Sequence, residues 1–263
     1  MKNIFVCVLS LLALNGRLNA SDHYYQPIPI LSREKMQLSP INLTRAEQKW
    51  LHHKKQLILA VPNQENPPLD ITLRSGSYEG VTADMIGVFS KAIGIPIVAK
   101  KFPTRSAALY AIMKGEVDLL GAGNAYELLQ GFLLTKSYVD DIPALYVNKS
   151  TNIDDVRKIA IPQDYLPVEY IQSIFPDKSI EFYSNRYSAI ASVAYHKNDA
   201  ILIDTISGNY LSNNYYHDVI RYGQRVDVKS FGFSFVVGSN NHQLKEIFNK
   251  AIDALPSSLV HSV

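Results

Sequence analysis

Strand-like and helix-like stretches alternate through most of this sequence, and that alternation restricts the fold more than any other feature. Leu57 to Val61 reads as a strand, helical periodicity over Ala83 to Ile93 stops at Gly94, and Ile95 to Lys100 reads as the next strand. The run SAALYAIMKGEVDLLGAG then gives a helix ended by Gly115 and a strand at Val117 to Gly121. Ala144 to Val147 is a lone strand-like run between polar ends. A second series follows: RKIAIP, a helix over Val168 to Phe175, SIEFY, a helix over Tyr187 to His196, AILID, a helix over Thr205 to Leu211, and VIRY. FGFSFVV and a helix over Gln243 to Leu255 close the sequence.

Strands and helices in alternation, with connections of a few residues, predict parallel strands joined by right-handed crossovers, hence an α/β fold with helices on both faces of each sheet. Two series of similar weight, linked by one strand out and one back, predict two lobes on a hinge. Residues 55–146 are assigned to the first lobe, 147–232 to the second, and 233–263 to a return into the first. Open α/β sheets bind ligands beyond the carboxyl ends of their strands, so the expected site is the cleft between the lobes. Asp204 ends the apolar strand AILID and is placed at that edge, either facing the cleft or capping the helix that begins TISGNY.

Residues 1–20 carry Lys2, an apolar run from Ile4 to Leu14 and a polar stretch ending in Ala20. Spanning a membrane takes about 20 apolar residues, so the run reads as a signal peptide cut after Ala20, which directs the chain to the periplasm. The single cysteine, Cys7, lies in that segment, and its loss leaves no thiol for disulfides, zinc-thiolate sites or a cysteine nucleophile. Of 26 basic residues Lys2 and Arg17 also leave, which balances the 24 acidic ones. A neutral chain without a basic run has no electrostatic footprint for nucleic acid or anionic lipid. Residues 21–54 read as an extended leader with one short helix, capped by Thr44 with Glu47 completing a capping box and with Leu43, Trp50 and Leu51 as its apolar edge.

Several segments, in order, resemble the family 3 extracellular solute-binding proteins: NPPLD, YEGVTADMIGVFSKAIGIPI, ALYAIMKGEVDLLGAG, VRKIAIPQDY and SIFPDKSIEFYSN. The likeness runs from about Leu57 to Leu255. It implies a two-lobed Venus-flytrap fold of type II, each lobe a mostly parallel sheet flanked by helices, which perceives a small solute by cleft closure. The leader LTRAEQKWLHHKKQLILAVP looks like the approach to flytrap domains in hybrid sensor histidine kinases of the BvgS and EvgS type. The resemblance therefore implies a sensor input domain, cut short or free-standing, with a membrane sensor kinase as partner. The alternative is the receptor of an ABC importer, with a permease as partner.

In family members that bind α-amino acids, the resemblance implies an arginine just after the third strand of the first lobe, gripping the ligand carboxylate. The corresponding stretch here, Gly121 to Phe132, has no arginine. Where the family offers a hydroxyl at a helix start in the second lobe, this chain has Asp164 and Tyr165. Asp204 matches the position that receives a ligand ammonium. Two carboxylates without the arginine favour an amine over a zwitterion, with Tyr126, Tyr138 or Tyr78 stacking on the cation. Asn124 offers an amide, Leu69 stands where the family often has an aromatic wall, and Arg105 is placed at the cleft rim as a solvated side chain. No cofactor is expected, and the seven histidines have no HExxH or similar ligand spacing. A cleft enzyme of dehydratase type, using Asp164 and Asp204 as acid and base, is the remaining and least favoured reading.

Overall fold

The protein is described by a computed structural model over residues 26–256, apart from Gln37, Gln64, Ser230 and Phe231. The expected signal peptide lies outside the described residues. The first lobe comprises β1 (Pro27–Ile28), α1 (Arg45–Lys54), β2 (Leu57–Pro62), a hairpin of β3 (Ile71–Thr72) and β4 (Tyr78–Glu79), α2 (Val81–Ile93), β5 (Ile97–Phe102), α3 (Arg105–Lys114), β6 (Leu119–Gly123), α4 (Ala125–Leu129) and β7 (Leu133–Val139). The second comprises β8 (Pro143–Asn148), β9 (Lys158–Pro162), α5 (Val168–Ile174), β10 (Ser179–Tyr183), α6 (Arg186–Ala194), β11 (Ala200–Asp204), α7 (Thr205–Tyr215) and β12 (Ile220–Arg225). The chain then returns to the first lobe as β13 (Phe233–Val237) and α8 (His242–Asp253).

The first sheet has the order β1-β5-β2-β6-β13-β7 and the second β10-β9-β11-β8-β12. Strands linked through helices run parallel, as expected: β5 with β2, β2 with β6, β10 with β9, and β9 with β11. The strands next to the crossings do not. β13 is antiparallel to both β6 and β7, and β8 is antiparallel to both β11 and β12. Parallel pairing needs a long crossover, usually a helix, and a strand that arrives from the other lobe has none to constrain it. The first crossing also lies earlier than the sequence placed it. The first sheet ends at Val139 and β8 belongs wholly to the second, so residues 140–142 cross and the run Ala144–Val147 is not divided.

The helices cover both faces of each sheet because each strand alternates buried side chains toward two cores. In the first lobe Phe89 of α2, Phe235 of β13 and Phe248 of α8 meet edge to face, at 5.2–6.0 Å between centroids, and Tyr138 stacks on Phe235 at 4.6 Å. Each such pair contributes about 0.5–1.5 kcal/mol beyond its buried area. The leader is built into this lobe. Thr44 Oγ1 accepts from the Glu47 N–H at 3.2 Å, Glu47 Oε2 accepts from the Thr44 N–H at 2.6 Å, and Lys250 of α8 donates to Glu47 at 2.7 Å.

In the second lobe α7 lies directly on β8. A Cβ on Gly208 would stand 2.3 Å from the ring of the buried Tyr146, whose hydroxyl donates to Asn209 Oδ1 at 2.6 Å. The close approach sets where the first turn of α7, and so Ser207, meets the first lobe. Gly208→Ala is therefore expected to lower stability by about 1–3 kcal/mol, the usual cost of overpacking. Urea denaturation of the variant beside the parent protein checks this.

Candidate functional site

Five polar side chains reach the cleft from the carboxyl ends of β5, β6, β9 and β10. Thr104 caps α3 and Asn185 caps α6, each accepting a backbone N–H from the first turn, and this places Arg105 and Arg186 at the first helical positions after β5 and β10. Asn124 caps α4 directly after β6, and Asp164 and Tyr165 follow β9. These residues, with Glu65 and Asn66 opposite, line a cavity of about 30 Å³. That volume holds about two water molecules.

The lobes touch through hydrogen bonds. Asn124 of the first lobe donates its amide to the carbonyl of Tyr165 in the second at 2.8 Å. The hydroxyl of Ser207 in α7 donates to Asn66 Oδ1 at 3.0 Å. Asp141, on the crossing segment, accepts from the Tyr165 hydroxyl at 2.9 Å and from the Asn124 amide at 3.4 Å. The cleft is thus shut by the protein's own side chains, with hinge and both lobes joined in one polar network.

No protein-family profile matches the chain. Among curated proteins, the virulence sensor BvgS of Bordetella bronchiseptica is 29% identical over 216 residues, 80% of this chain and 17% of the relative. The sensor EvgS of Escherichia coli is 26% identical over 257 residues, 93% of this chain and 21% of the relative. The solved periplasmic domain of Bordetella pertussis BvgS superposes with a TM-score of 0.78 at 25% identity, covering 90% of this chain and 47% of that one. The isolated VFT2 domain of the same sensor superposes at 0.77 and 18% identity, over 86% of this chain and 97% of that one. The chain has the Venus-flytrap fold. It is homologous to the periplasmic domains of the BvgS and EvgS sensors and spans about a fifth of those proteins. The relatives' domains are periplasmic, and no helix among the described residues is long and apolar enough to cross a membrane.

The flytrap brings together Arg105, Asn124, Asp164 and Tyr165 of the residues singled out in the sequence. The other five stand off the cavity lining. Asp204 is wholly buried and caps α7, its Oδ1 accepting the Ser207 N–H at 2.7 Å, so the capping role overrides presentation to the cleft. Tyr138 sits in the first-lobe core, where its hydroxyl bonds Thr82 at 2.8 Å and accepts the Ala122 N–H at 2.9 Å. Leu69 is fully buried behind the wall. Tyr126 is half-buried and bonded to Asp164, and burial followed by that bond pushes its hydroxyl up to about 12. Tyr78 is buried with its hydroxyl on Asp70 at 2.5 Å.

Arg105 is a correction. It is 13% exposed and pairs with Glu127, which is 1% exposed, at 2.5 Å. Burial opposes its charge, but Glu127, together with Asp70 and Asp164, outweighs that and holds its pKa above the usual value. Arg186 has no counterpart among the residues singled out in the sequence. Its only local signal is the pattern of strand, cap residue and arginine, shared by Phe102–Arg105 and Tyr183–Arg186. It lies 3.9 Å from Asp204 Oδ2 and under the ring of Tyr165 at 5.7 Å. Burial lowers the pKa of Arg186 and raises that of Asp204, and each charge opposes the shift of the other.

Asp141 carries the consequence of this crowding. Burial, and then the charge of Asp204, push its carboxyl up from 3.8 to about 7. The folded flytrap keeps a proton there that the unfolded chain releases, so this group favours folding most at low pH and the benefit declines from about pH 4 to 7. Over that window Asp141→Asn is expected to flatten the fall in stability, by up to roughly 1.4 kcal/mol for each pH unit. Urea denaturation at a series of pH values reads the slope, and parallel curves for the two proteins would mean that Asp141 is ionised in the fold.

Proposed function

We propose that this chain is the periplasmic input domain of a two-component sensor kinase and reports a small solute through the balance between open and closed lobes. Homology to sensor flytraps over most of the chain supports the class of protein. The observation that carries the mechanism is the shut cleft, tied across by Asn124 to Tyr165 and by Ser207 to Asn66. A flytrap whose own side chains stabilise closure sets a resting output, and a solute changes that output only by its differential affinity for the two states. The proposed contacts of the solute are Arg105, Asn124, Asp164 and Tyr165, at the lobe junction where opening and closing alter them most. A membrane-bound kinase is the proposed partner.

Each interlobe hydrogen bond contributes about 0.5–1.5 kcal/mol, so removing both moves the closed-to-open ratio by roughly fivefold to a hundredfold. The test replaces the matching flytrap of a BvgS-type sensor with this one and reads a reporter of kinase output. Asn124→Ala combined with Ser207→Ala is expected to shift the basal output several-fold. An output identical to that of the unmodified chimaera would reject the proposal.

A further inference from the structure

Two arginines line the cavity, and their hydrogen bonding differs. Arg105 is held by the first lobe: Nε donates to Glu127 Oε1 at 2.5 Å, and one terminal nitrogen reaches the carbonyls of Gly121 and Ala122 at 3.2 and 3.1 Å. Arg186 belongs to the second lobe and is 11% exposed. Its Nε has no hydrogen-bond partner among the described residues, and neither has the Oδ2 of Asp204, 3.9 Å away. Asp204 thus balances the charge of Arg186 without occupying its donors.

A buried donor without an acceptor costs about 1–3 kcal/mol, and more when it is charged. The planar guanidinium fork matches a carboxylate with two parallel hydrogen bonds, a geometry that an ammonium does not provide. Arg186 also occupies the first position of the nine-residue α6, whose amino end adds partial positive charge at the same place. Glu65 and Asp164 line the cavity as well, and their charges disfavour a dianion.

We infer that Arg186 is the ligand-reading cation of the cleft and that it binds the planar head of a small monocarboxylate from the second lobe. Arg105, locked to Glu127, serves as a fixed wall. The cavity of about 30 Å³ admits a head the size of formate while the lobes touch, and a longer carboxylate requires them apart. The ligand therefore docks on the second lobe before the first closes over it. This inference rests on the perception role proposed above and names the chemistry of what is perceived.

Calorimetry of the full chain with formate, acetate and methylammonium tests it. Formate and acetate are expected to bind and methylammonium not. R186K keeps a cation beside Asp204 but loses the fork, and is expected to weaken carboxylate binding at least tenfold. R186Q alone would strand the Asp204 carboxylate, so the double variant R186Q/D204N removes both charges and is expected to abolish binding, with circular dichroism confirming its fold. If the double variant does not fold, R186K decides. Absence of carboxylate binding by the parent protein, preference for methylammonium, or unchanged affinity in R186K would overturn the inference. Carboxylate binding without any effect of cleft variants on kinase output would sink the sensor proposal alone, and the converse would sink this inference alone.

Discussion

The polar network centred on Asp141 is where the geometry of the two lobes is decided. Asp141 stands on the segment that leaves the first sheet and joins the second, and it receives hydrogen bonds from Tyr165 of one lobe and Asn124 of the other. Asn124 also reaches the backbone carbonyl of Tyr165, so one amide group links hinge and cleft. Buried polar groups of this kind are costly when left half-satisfied, which makes the relative position of the lobes a discrete arrangement and not a continuous one. The shut cleft and its small cavity go with it.

The buried charges add a second constraint. Arg105 and Glu127 form a close pair inside the first lobe, whereas Arg186 and Asp204 in the second face each other at a distance too long for a hydrogen bond. Breaking a buried pair is strongly destabilising because it leaves one charge uncompensated. The asymmetry means that Arg105 has its carboxylate partner within the first lobe, while Arg186 in the second keeps its Nε without an acceptor among the described residues. Under the proposed function, the first lobe is the wall and the second the half that reads the ligand.

Much of the architecture was legible because hydrophobic periodicity and helix stops act over a few residues. The capping box at Thr44 and Glu47, the stop at Gly94 and the alternation of strand and helix are all local, and the structure contains each of them. The site was legible only in part. Arg105, Asn124, Asp164 and Tyr165 line one cavity, and the sequence pointed to them through helix starts and through stretches that resemble the family's cleft. Tyr138 and Leu69 are also next to strands or turns, yet they point into the core, and no local pattern separates those two directions. Asp204 ends its strand as read, and of the two roles left open, facing the cleft or capping α7, the Ser207 N–H claims the side chain for the cap.

By itself the sequence determined two α/β lobes, a cleft at the carboxyl ends of their strands and a likeness to solute-binding flytraps, since all of these rest on short-range pattern and order. Only the tertiary structure decided which strands run antiparallel, that the lobes touch, that Arg186 enters the cleft and that Asp204 stands behind it. Those facts depend on contacts between residues far apart in the chain, such as Asn66 with Ser207 and Arg105 with Glu127. A residue's charge is written in the sequence, whereas the partner that uses or leaves free its hydrogen bonds is chosen by packing.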